Sequence, residues 1–139
     1  METITRNDVI AAARGYLGTK FEHQGRSRFG LDCAGLIVTP LRDLGHPCAD
    51  ASAYDRYSAG RAMPETLALF ADRIPVKEAR LADLLTFYRS APDREEHIAW
   101  YVPPERLLQS WIKGGVSEVT FDARWRVRLV GAWRVRGIV

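Results

Sequence analysis

The chain has 139 residues, of which 47% are hydrophobic and 27% charged, a size and composition suited to one domain over 1–139 that buries its own core without staples. No apolar run approaches the ~20 residues needed to span a bilayer, and the opening Met1 to Arg6 lacks the basic and then apolar pattern of a secretory signal. The formal charge of +3 gathers in Arg124, Arg126, Arg128, Arg134 and Arg136. Without interleaved stacking aromatics or a reader motif this excludes a nucleic-acid site, and the alternate spacing predicts the wet face of a strand.

Residues 5–17 read as a first helix. Val9, Ala13, Tyr16 and Leu17 recur at helical spacing after the candidate caps Thr5 and Asn7, and Gly18 closes it. Residues 19–30 hold two glycines and no period, which predicts a surface loop. A second helix is expected from Asp32 or Cys33 to Leu44, with Leu36, Ile37, Leu41 and Leu44 inward and Gly45 as its stop. Pro40 lies inside that pattern and deletes one backbone hydrogen bond at about 3 kcal/mol, so a bend or an end near Leu36 is expected. Residues 46–63 are mixed and turn-rich, and Pro64 then introduces a short helix with Leu67, Phe70 and Ile74 inward.

Strands follow at 84–88, 98–102, 107–112, 116–120 and 126–135, all rich in β-branched and aromatic residues, with a hairpin turn at Lys113-Gly114-Gly115. Helices first and antiparallel strands later is an α+β pattern.

Chemistry centres on Cys33. It stands where a loop becomes a helix, and the orphan amides and positive dipole end at such a position favour thiolate and offer donors to an oxyanion. Ala34 and Gly35 leave room for a carbonyl. The other cysteine, Cys48, lies in a loop between Pro47 and Ala49. No Cys-x-x-Cys or His-x-x-x-His spacing supports a metal, so no cofactor is expected. His97 opens an apolar strand after the polar run Asp93 to Glu96 and is the candidate base. Gln109, an amide among Leu107, Leu108, Trp111 and Ile112, is the candidate that orients the imidazole; Ser110, on the other face of the same strand, is the alternative. His23 is a candidate oxyanion donor or gate. Asp32 either caps the helix or binds a substrate amine. His46, after a helix stop, reads as a satisfied edge histidine.

Together, Leu17-Gly18-Thr19, Phe21, His23-Gln24-Gly25, Asp32-Cys33-Ala34-Gly35-Leu36-Ile37, Ala82-Asp83-Leu84-Leu85, His97-Ile98-Ala99 and Leu107 to Trp111 with Gly115-Val116-Ser117-Glu118 resemble the NlpC family of cell-wall cysteine peptidases. Trp125 and the closing Arg128 to Arg134 resemble its short phage-type branch, seen in phage tails and gene-transfer-agent-like particles. The resemblance implies a papain-like cysteine peptidase fold with N-terminal helices packed on a C-terminal antiparallel β-sheet. It implies hydrolysis of peptidoglycan stem peptides near D-glutamate and diaminopimelate by Cys33, His97 and Gln109, without cofactor. It further implies a protein made in the bacterial cytoplasm, carried by a tail among tail-tip or hub proteins, and acting in the periplasm or wall. A structural tail-tip protein that keeps the fold, or another thiol amidase or acyltransferase, are the alternatives. Three departures stand out: the third position commonly holds His and here is Gln109, a tyrosine is common near Phe21, and Pro40 interrupts the nucleophile helix.

Overall fold

The computed structural model describes residues 3–50 and 59–139. It is an α+β papain-like arrangement of helices on a six-stranded antiparallel sheet.

Helix α1 spans Arg6–Arg14. Thr5 caps it, accepting from Asp8 N–H while the Asp8 carboxylate accepts from Thr5 N–H, a reciprocal box that satisfies two orphan donors. Gly15 ends it. That is three residues earlier than the periodicity suggests, so Leu17 leaves the helical register and is 48% exposed. The loop that follows contains a small hairpin, β1 Arg26–Ser27 and β2 Gly30–Leu31.

Helix α2 runs unbroken over Cys33–Asp43 with Pro40 inside it, so the expected end near Leu36 does not occur. The carbonyl that Pro40 cannot bond is that of Leu36, four residues earlier. The indole N–H of Trp100 donates to it at 3.0 Å, so the sheet supplies the hydrogen bond that proline removes.

Helix α3 covers Ala59–Leu67 and so begins before Pro64, not at it; the part of the expected turn-rich stretch at 51–58 lies outside the described residues. Ile74 belongs not to a helix but to strand β3, Ala71–Ile74, and a single 3₁₀ turn follows at Val76–Glu78. Strands β4 Leu84–Phe87, β5 His97–Val102, β6 Arg106–Trp111 and β7 Gly115–Thr120 match the sequence pattern closely.

The basic stretch differs from expectation. Arg124 and Arg126 lie on a short helix α4, Ala123–Arg126, which Asp122 caps by accepting from Arg124 N–H; only then does β8 begin, Leu129–Val135. Trp125 is buried on this turn.

The sheet order is β3-β8-β4-β5-β6-β7, with every pairing antiparallel. One face carries Leu84, Ile98, Trp100 and Leu108 against Leu36, Ile37 and Leu41 of α2. The other carries Leu85, Phe87, Ala99 and Leu107 beneath Phe121 and Trp125. Full burial of such side chains contributes about 1.5–3 kcal/mol each. Ile4 and Ile138 form a parallel bridge, with Val139 N–H donating to Ile4 O and Arg6 N–H to Val139 O. No helix among the described residues is long and apolar enough to cross a membrane.

Candidate active site

Asp32 organises the start of α2. One carboxylate oxygen accepts from Gly35 N–H and from Arg26, both at 2.8 Å, and the other accepts from Gln24 N–H at 2.9 Å. Arg26 also donates to both oxygens of Asp50. The loop before the helix is therefore strapped to the cap. Gly35 completes the fit: a Cβ there would lie 2.2 Å from the Gly25 carbonyl oxygen, so no side chain fits between loop and helix. Of the two readings of Asp32, the structure shows the cap, with the carboxylate buried and taken up by internal donors. His23 is half-buried in the turn of the same loop, one residue before the Gln24 amide that holds Asp32.

Cys33 is the first residue of α2 and is partly exposed. Burial and the neighbouring Asp32 charge push its thiol up to about 12 against the opposing pull of the Ile98 and Ala34 amides and Arg26. The helix start thus acts on the sulfur in the expected direction and is outweighed. The Ile98 contact places the thiol beside β5 at the peptide that joins His97 to Ile98.

His97 opens β5 on the face opposite α2. Its ring stacks on Trp125 with centroids 5.2 Å apart and meets Trp111 edge-on at 4.9 Å, with Phe87 at 5.9 Å. Nε2 lies 2.7 Å from Gln109 Oε1. An amide oxygen only accepts, so Nε2 carries the proton and Nδ1 keeps the lone pair, the form a general base needs. Burial pushes the imidazole down to about 4, with the Gln109 bond opposing and the Arg89 charge adding. No hydrogen bond joins Cys33 to His97 among the described residues. Both shifts favour the neutral forms, thiol at Cys33 and imidazole at His97.

Ser110 faces the other way and donates to Leu31 O at 2.6 Å, tying β6 to the chain just before Asp32. His46 donates from Nε2 to Arg136 O at 2.7 Å and stands edge-on to Phe70, away from these residues. The aromatic enclosure of His97 was not singled out from sequence. The two-residue spacing of Gln109 and Trp111 on one strand was its only local signal. Glu95 was also missed: buried, it accepts from Thr86 Oγ1, Trp133 Nε1 and Arg73, and so pins the approach to His97. Among the described residues, no group of three His, Cys, Asp or Glu could hold a metal ion.

The sequence profile of the NlpC/P60 family matches residues 18–134, a span that includes the cysteine helix, the histidine strand and the glutamine strand. The chain belongs to the NlpC/P60 family. Among solved structures, an NlpC/P60 family protein from Bacillus cereus is 20% identical with a TM-score of 0.76, over 96% of this chain and 41% of that one. The NlpC/p60 domain of the peptidoglycan hydrolase SagA is 20% identical with a TM-score of 0.63, over 95% of this chain and 98% of that domain. RipD of Mycobacterium tuberculosis, a non-catalytic NlpC/p60 domain protein adapted to peptidoglycan binding, is 16% identical with a TM-score of 0.63, over 94% and 96%. The chain thus spans less than half of the Bacillus cereus protein and nearly all of the two others. Among curated proteins no sequence matches.

Proposed function

We propose that this NlpC/P60 domain is a cysteine peptidase that hydrolyses peptide stems of bacterial peptidoglycan, with Cys33 as nucleophile, His97 as base and Gln109 as the residue that orients it. The observation that carries this reading is the 2.7 Å bond from His97 to Gln109. It leaves the lone pair on Nδ1 at the start of β5, the strand whose Ile98 amide meets the Cys33 thiol. The thiol attacks the substrate carbonyl as its proton passes to Nδ1, and the imidazolium returns that proton to the leaving amine. Water, deprotonated by the same nitrogen, then releases the acyl group from sulfur. Backbone amides at the start of α2 and His23 are the candidate donors to the oxyanion. SagA, of the same fold, is a peptidoglycan hydrolase, and the resemblance of the closing segment around Trp125 and Trp133 to that of the phage-type branch supports delivery in a tail particle.

A second reading is binding without cleavage, as in RipD, and it draws support from the lack of a hydrogen bond between Cys33 and His97 among the described residues. Incubation with muropeptides separates the two. New amino termini with the wild-type protein and none with Cys33→Ala support the peptidase; equal binding to insoluble peptidoglycan by both proteins, with no cleavage by either, supports the second reading.

A further inference from the structure

Arg89 follows β4 on the loop that leads to His97, and this loop is fastened to the histidine strand. The carboxylate of Glu96, one residue before His97, accepts from Arg89 N–H at 3.1 Å, from Ser90 N–H at 2.8 Å and from the Ser90 hydroxyl. The exposed Arg89 guanidinium lies over Trp111, 5.9 Å from the ring centroid. Trp111 is only partly buried and is the ring that meets His97 edge-on. Among the described residues no carboxylate pairs with the Arg89 side chain. The two acids that precede His97 are taken up by other groups: Glu95 by Thr86, Trp133 and Arg73, Glu96 by the loop itself. A cation is thus held beside the candidate base with its forked donors open to an incoming acceptor.

In the proposed reaction His97 returns its proton to the leaving amine, so the residue that carries this amine lies against His97. Trp111 is the partly exposed ring next to it, and the open charge over that ring is Arg89. We propose that Arg89 binds a carboxylate of the residue that becomes the new amino terminus, and so determines specificity on the leaving-group side of the bond. The inference rests on the cysteine-peptidase reading. A guanidinium takes a carboxylate through two parallel hydrogen bonds, with direction as well as charge. An ion pair open to water contributes little, but here the bound peptide and Trp111 cover it from two sides. A carboxylate at Arg89 also offsets a charge that otherwise disfavours the imidazolium, so recognition and proton transfer act in the same direction.

The test uses stem tripeptides of L-alanine, γ-linked D-glutamate and diaminopimelate in three forms: all carboxylates free, D-glutamate amidated, or diaminopimelate amidated. Mass spectrometry identifies the new amino terminus. Amidation of the residue that bears it is expected to lower kcat/KM of the wild-type protein roughly tenfold, the loss of one hydrogen-bonded charge partner. Arg89→Gln should bring the ratio between the free and amidated forms of that residue close to one, and Arg89→Lys should keep part of it, since the charge remains and the fork is lost. If Arg89 acted only through His97 or through folding, its variants would slow all three peptides alike and keep the wild-type ratio, and that result overturns the subsite. So does a wild-type protein indifferent to this amidation, or an Arg89-dependent preference that follows the carboxylate of the other residue. Cleavage of none of the three peptides by the wild-type protein overturns the peptidase reading, and the subsite with it.

Discussion

The amide of Gln109 is buried on β6 with its oxygen on His97; truncating it strands an imidazole N–H in an apolar enclosure, at about 1–3 kcal/mol. Gln109→Ala is expected to lower muropeptide turnover by less than the roughly 10²–10⁴ that His97→Ala should lose as a general base. Gln109→His should retain activity, since an imidazole nitrogen can accept the same proton. Rates measured beside thermal melts decide this, and full turnover in Gln109→Ala would remove Gln109 from the mechanism. Ala82 presents the opposite situation. It is buried at φ +65, immediately before the fully buried Asp83 that Arg6 and Arg134 hold. An L-residue in that left-handed conformation costs about 1–2 kcal/mol. Ala82→Gly should therefore raise stability by about 1 kcal/mol in urea denaturation; a lower midpoint would mean that the methyl group packs better than its backbone strain costs.

Helix α2 owes its continuity to a partner outside itself. Trp100→Phe should destabilise the protein by about 1–2 kcal/mol through the unsatisfied Leu36 carbonyl. In a Pro40→Ala background the same change should cost less, because the alanine N–H restores the bond within the helix. A double-mutant cycle reads this coupling directly, and additive effects would disprove the compensation. The inward face of α2 and strands β4 to β7 were legible because each is long and periodic enough to show which side is buried. Pro40 misled because its compensation comes from sixty residues further along the chain. Strand β3, Ala-Asp-Arg-Ile, shows no alternation of its own and exists through its pairing with β8. Helix α4, at four residues, is shorter than any period; the Asp122 cap and the buried Trp125 define it, and the arginine spacing obscured both.

Across the whole molecule, the candidate site residues were legible in chain order, while the environment that sets their charge came from elements far apart in sequence. Stacking of Trp125 on His97, with Trp111 and Phe87 around it, cannot be read from any one segment. That enclosure has a consequence for acid stability. With the imidazole at about 4 when folded and 6.5 ordinarily, the unfolded chain binds a proton between those values that the folded chain does not. Stability therefore falls as pH drops through this window, by about 3 kcal/mol in all. Denaturant midpoints at pH 7 and pH 4.5 should show the loss in the wild type and a much smaller one in His97→Gln; equal losses would mean that His97 is not held neutral. The pairing of Ile4 with Ile138 bears on a different kind of load. Chain entering at one and leaving at the other does so side by side, and because the bridge is parallel, tension applied to the two ends pulls along the paired backbones in opposite directions. The two hydrogen bonds to and from Val139 are then sheared together instead of being peeled one after the other, which makes this short contact a mechanical clamp where a stretching experiment on the domain would meet its first resistance.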